Sequence, residues 1–167
     1  MDQGLAAVLG AVVGVAGAIA ATMLAGLHQS NAERGHWRRQ SRRDTYGAFA
    51  TAAERAYDCA IEAERLLEAV PPDLNLAKSK IENMRTHVDE ADRLSTIIAL
   101  EGPRKVEEVC SELNETMESW VEGMEAWHRA ADAQNDTSQV HQAAIQHKEN
   151  GADQFTEFIN SAIKALK

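Results

Sequence analysis

The stretch at residues 106–131, VEEVCSELNETMESWVEGMEAWHRAA, decides the fold. Its apolar side chains recur every three or four residues, which is the spacing of one face of an α-helix. That face is formed by Val106, Val109, Cys110, Leu113, Met117, Trp120, Met124, Trp127 and Ala131. Polar side chains, many of them glutamates, fill the positions between them. The pattern therefore predicts a helix with one buried face and one solvated face.

Three further runs with the same periodicity lie at residues 46–70, 74–98 and 140–166. Helix-breaking residues end the first two runs, at Pro71 and Pro72 and at Gly102 and Pro103. The candidate caps are Asp73 or Asn75 for the second run and Asp136, Thr137 or Ser138 for the fourth. No stretch shows the alternation typical of a strand. We therefore predict an all-α protein in which an N-terminal transmembrane helix is followed by an antiparallel four-helix bundle.

The predicted transmembrane helix is the uncharged run at residues 5–27. A helix of that length reaches about 34 Å, enough for a hydrocarbon core of about 30 Å. A cleaved signal peptide would need a basic N-terminal region and a shorter apolar stretch, whereas this chain begins MDQG. The run is therefore interpreted as an uncleaved membrane anchor.

Charge divides the chain into three zones, which we take as its domains: an anchor (1–27), a basic juxtamembrane collar (28–43) and an acidic cytosolic bundle (44–167). The collar holds Arg34, Arg38, Arg39, Arg42 and Arg43 against a single Glu33. The bundle holds 12 basic and 24 acidic side chains, a net charge of −12. Arginines on only one flank predict a single-pass plasma-membrane protein with its N-terminus outside and its body in the cytoplasm.

The collar is also predicted to rest on anionic lipid headgroups through its five arginines and Trp37. Each arginine near such a surface contributes about 1 kcal/mol. A nucleic-acid partner is not expected, because an acidic body repels phosphate.

Small residues recur at every fourth position of the apolar run, at Ala6, Gly10, Gly14, Ala18, Thr22 and Gly26. Such a stripe lets two helix backbones approach closely and favours association in lipid. We predict that the helix pairs through this face, with another copy or with a different membrane helix. A run rich in alanine and glycine can also produce such a stripe by chance.

The segment WRRQSRRDTYGAF at residues 37–49 resembles a pattern found in small actinobacterial single-pass membrane proteins of unknown function. These proteins have an Ala/Gly-rich span, a W-x-R-Q-x-R-R-D-x-Y-x-x-F stretch and a cytosolic helical body. The resemblance covers about the first 60 residues. It implies the topology described above, and it implies no activity.

Candidate chemistry is sparse, and we predict neither an enzyme nor a cofactor. A di-iron bundle needs two Glu-x-x-His motifs, whereas Glu125–His128 is the single match within the predicted bundle, residues 44–167. His87, His141 and His147 do not share a ligand spacing, so no metal site is expected. Trp120 and Trp127 are expected in the core, and Cys59 and Cys110 are expected to be buried, reduced thiols.

The function expected from the sequence is a scaffold or protein-interaction module at the cytoplasmic face of a membrane. The alternative is an oligomerising membrane effector, holin-like or of a defence type, that perturbs the bilayer through the small-residue stripe. The size of the acidic body favours the first.

Overall fold

The computed structural model describes residues 37–167, and every regular element in this part is helical. The helices are α1 (37–68), α2 (Leu74–Glu101), α3 (Arg104–Asp132) and α4 (Ser138–Ala165). The prediction of an all-α chain with four helical runs is confirmed for these residues. The predicted membrane helix at 5–27 and its small-residue stripe lie outside them. None of the helices in residues 37–167 combines the length and the apolar character that crossing a bilayer requires.

The clustering of backbone contacts separates the residues up to Ser41 from a second unit, Arg42–Lys167, which is compact. Within the second unit, paired contacts show that sequential helices run antiparallel. Between α2 and α3, Arg85 pairs with Glu125, whereas Asp92, further along α2, accepts a hydrogen bond from Asn114, which lies earlier on α3. Residue numbers that rise along one helix fall along its neighbour. The second unit is thus an antiparallel helical bundle.

The helix ends follow from local capping chemistry. The Asp73 carboxylate accepts a hydrogen bond from the backbone N–H of Leu76, which caps α2. The Asp136 carboxylate accepts hydrogen bonds from the backbone N–H and the hydroxyl of Ser138 at the start of α4. These two bonds hold the pKa of Asp136 below its ordinary value.

The core is asymmetric because α1 contributes small side chains and α3 contributes large ones. The buried alanines of α1 are Ala52, Ala53, Ala56, Ala60 and Ala63. The Trp120 ring of α3 meets the Tyr57 ring of α1 edge-on, at 5.3 Å between centroids. Trp120 and Trp127 are 2% and 3% exposed, so their predicted place in the core is confirmed.

Two apolar positions of the periodic runs are exposed, Val70 at the end of the first run and Ile163 in the fourth. Val70 is almost fully exposed because α1 ends at residue 68, one step before the periodic pattern does. Ile163 is half exposed because α4 buries Ser161 and Ala162 at that level instead. Cys59 is half-buried, whereas Cys110 is buried as expected.

Gly102 joins α2 to α3 where the chain has no room for a side chain. A Cβ at this position would lie 2.6 Å from the carbonyl oxygen of Ile98 and 3.2 Å from the Tyr46 hydroxyl. By contrast, a Cβ at Gly47, on the exposed face of α1, would meet nothing within 4 Å.

We expect opposite effects of alanine at these two glycines. Gly102→Ala forces the turn to shift and should lower the free energy of unfolding by about 1–3 kcal/mol. Gly47→Ala should raise it by about 0.5–1 kcal/mol, since alanine is the better helix former. Urea unfolding followed by circular dichroism measures both. A change of the same sign in the two variants would contradict the placement of Gly102.

Candidate functional site

The collar residues that the structure describes are mostly exposed. Trp37 is 69% exposed, and Arg38, Arg39 and Arg43 are exposed as well. Arg42 differs, because its Nε donates a hydrogen bond of 2.7 Å to the backbone oxygen of Glu101. That oxygen belongs to the last turn of α2, where carbonyl groups lack helical partners and a cation is favourable. Arg42 therefore fastens α1 to the end of α2.

Arg34 and the predicted helix-association residues lie outside the described residues. These association residues are Ala6, Gly10, Gly14, Ala18, Thr22 and Gly26.

The Glu-x-x-His motif of the bundle, Glu125–His128, forms structural contacts between α2 and α3. Glu125 Oε1 accepts hydrogen bonds of 3.0 and 2.7 Å from the Arg85 guanidinium. His128 Nε2 lies 3.0 Å from the backbone oxygen of Leu74 at the start of α2. Both side chains thus hold the two helices together.

A polar cluster that the sequence analysis missed lies between α1 and α4. Glu64 and Glu68, one helical turn apart on α1, face His141 on α4, and their nearest ligand atoms all lie within 4.8 Å of one another. His141 Nε2 is 3.1 Å from Glu68 Oε1, but the angle between the groups does not allow a hydrogen bond. The His141 ring stacks on Trp127, with 4.3 Å between ring centroids.

Lys148 already neutralises one carboxylate of this cluster. Its Nζ donates hydrogen bonds of 2.9 and 3.1 Å to the two carboxylate oxygens of Glu64. The hydrogen bond to Glu64 raises the pKa of Lys148, so the lysine stays charged. A divalent cation would have to displace this ammonium group to use Glu64 as a ligand. The cluster is better described as an electrostatic link between α1 and α4 than as a metal centre.

An apolar groove runs between α1 and α4 and reaches α3, with a volume of about 270 Å³. Small residues leave space for the groove, and its lining includes Ala53 on α1 and Gly151 and Ala152 on α4. Apolar and aromatic side chains from all three helices form the rest of its wall: Tyr57, Leu113, Met117, Trp120 and Phe155. Pockets with mainly apolar walls and a few polar groups are the usual form of small-molecule sites.

The non-aromatic polar residues that line the groove are Glu54 on α1 and Thr156 on α4. The Thr156 hydroxyl donates a hydrogen bond of 3.0 Å to the backbone oxygen of Ala152, so its proton is not available to a ligand. Glu54 has no ion-pair partner among the described residues, whereas Glu62 and Glu64 on the same helix pair with Lys80 and Lys148. The groove therefore combines an apolar interior with one unpaired negative charge.

The two cysteines lie away from this groove. Burial raises the pKa of the Cys59 thiol and raises that of Cys110 to about 12. Both thiols are therefore weak nucleophiles at neutral pH.

Sequence reasoning did not find the groove. It places Ala53 on the apolar face of α1 and Glu54 on the solvated face, but it does not show which residues of α4 lie opposite. A glycine inside the fourth periodic run, Gly151, is the one feature that points to a gap in packing.

Comparison with protein-family models, curated proteins and solved structures finds no match.

Proposed function

We propose that this chain is a membrane-anchored helical bundle that binds or scaffolds another protein at the cytoplasmic face of the plasma membrane. The observation that carries the proposal is the uncharged run at 5–27 followed by five arginines within residues 34–43. The arginines and Trp37 would lie against anionic headgroups. The body would extend into the cytoplasm and present its surface to the partner.

A binding role is favoured over catalysis by how the polar side chains are used. Glu125 and His128 hold α2 to α3, and Glu64 holds α4 to α1. Exposed apolar side chains support an interaction surface on α2. Ile97 and Leu100, three residues apart on the same helical face, are 41% and 83% exposed. Grouped apolar exposure of this kind is typical of protein-binding surfaces.

The topology should be readable with reporters fused after Lys167. A fluorescent protein that folds only in the cytoplasm should be bright, and alkaline phosphatase should be inactive, because the five arginines keep the body inside. Replacing the five arginines with glutamine and adding lysines at Asp2 and Gln3 should raise phosphatase activity. An active phosphatase on the native sequence would contradict the proposed orientation.

A partner on α2 is tested by a photoreactive amino acid placed at Leu100 in the producing cell. The matched control carries the same group at Glu115, an exposed polar position on α3. We expect one protein to crosslink from position 100 and not from 115. Identical products from both positions would indicate random collision and would contradict a specific surface.

The alternative, an oligomerising membrane effector, is favoured by the stripe of small residues from Ala6 to Gly26. In this case, expression in bacteria would collapse the membrane potential. Gly14→Ile would restore it by separating the paired backbones, whereas Val13→Ile, off the stripe, would not. A stable potential with the native chain rejects the effector.

A further inference from the structure

The apolar groove between α1 and α4 has features that point to a ligand. Trp120 and Met117 form its floor from α3, and Tyr57 and Phe155 line it from α1 and α4. Three aromatic rings thus line a space of about 270 Å³. An apolar cavity of about 150 Å³ takes up benzene, so this volume corresponds to a molecule of about eleven non-hydrogen atoms.

Charge identifies the class of ligand. Glu54 contributes a carboxylate to the groove and has no ion-pair partner among residues 37–167. Aromatic rings attract cations through their negative faces, and sets of aromatic side chains recognise quaternary ammonium groups. Residues 44–167 also carry a net charge of −12, which raises the local concentration of cations and lowers that of anions.

We propose that the groove binds a small organic cation, an amine or quaternary ammonium compound with an apolar body. The apolar body occupies the space among Trp120, Met117 and Phe155. The cationic group lies toward Glu54. Each part of the ligand thus meets the group that stabilises it.

The test uses the full chain in phosphatidylcholine nanodiscs with ¹³C-methyl methionine. Met117 lines the groove, whereas Met84 and Met124 are fully buried elsewhere in the core and act as internal controls. The probes are benzyltrimethylammonium, a cation of eleven non-hydrogen atoms, and N,N-dimethylbenzamide, a neutral molecule of the same size (~11 non-hydrogen atoms). Benzyltrimethylammonium should shift the Met117 methyl resonance with a dissociation constant below about 1 mM and leave the other two in place.

Two pairs of variants test separately the charge of Glu54 and the free volume of the groove. Glu54→Gln should weaken the binding of the cation about fivefold and leave that of the neutral probe unchanged. Glu122→Gln makes the same change of charge at an exposed site on α3 and should have no effect. Ala152→Leu fills the groove and should weaken both probes by about tenfold, whereas Ala143→Leu, exposed elsewhere on α4, should weaken neither.

Three results would overturn the proposal. The first is a Met117 resonance that does not respond to the cation. The second is equal affinity for both probes together with no effect of Glu54→Gln, which would describe an unselective apolar cleft. The third is a Met117 shift that depends on protein concentration without any probe, which would mean that a second copy of the chain covers the groove.

Discussion

Replacing Phe158 with alanine should lower the free energy of unfolding of the bundle by about 3–5 kcal/mol. Phe158 on α4 is completely buried. Its ring lies 4.7 Å from that of Phe49 and 6.3 Å from that of Tyr46, measured between centroids. Alanine would remove these ring contacts and leave a cavity between α1 and α4. The alanine-rich face of α1 has few large side chains that could fill it.

Phe155→Ala is the matched control, since it makes the same chemical change one turn earlier on α4. Phe155 is half-buried and lines the apolar groove, so the loss should be clearly smaller. Urea unfolding of a fragment from Gly35 onward, which contains the compact unit Arg42–Lys167, measures both variants. Equal losses would contradict the central position of Phe158.

Periodicity predicts most of the helical architecture because each helix buries one face. Along α3, eight of the nine predicted face residues are buried, and the exception, Ala131, lies at the end of the helix and is half-buried. The prediction fails where a helix ends, as at Val70, because the apolar pattern continues one step beyond α1. Local stop signals such as Pro71 limit a helix to within a few residues and do not fix its last turn.

The candidate sites depend on which residues of separate helices lie at the same level along the bundle axis, and periodicity does not contain this information. Glu64 and Glu68 are recognisable as neighbours on α1, but their partner His141 belongs to α4, more than 70 residues later. The sequence shows no common ligand spacing among His87, His141 and His147, and it does not reveal that His141 stacks on Trp127 of α3. The relative height of two antiparallel helices follows from turn lengths and packing, so juxtapositions between them appear only in the folded chain.

Raising the pH from 8 to 10.5 should lower the free energy of unfolding of the native bundle by about 2 kcal/mol more than it lowers that of a Cys110→Ala variant. Burial, with a smaller contribution from the charge of Asp92, raises the pKa of the Cys110 thiol from an ordinary value of 9.0 to about 12. The unfolded chain therefore releases this proton above pH 9, whereas the folded chain holds it until about pH 12. Stability from this group is complete below pH 9 and is lost as the pH rises toward 12.

The comparison with Cys110→Ala isolates this effect, because lysines and tyrosines titrate over the same range in both proteins. Cys59→Ala serves as the control: that thiol is half-buried, so its removal should flatten the pH dependence less. Urea unfolding at the two pH values gives the difference in the free energy of unfolding directly.

The rate of reaction of Cys110 with a disulfide reagent is an independent measurement. At pH 8, a native thiol with a pKa of about 12 holds roughly one thousandth of the thiolate of an ordinary cysteine, so the reaction should be slow. Parallel pH profiles for the native chain and Cys110→Ala, or rapid labelling of Cys110 in the folded protein, would place this residue outside the core.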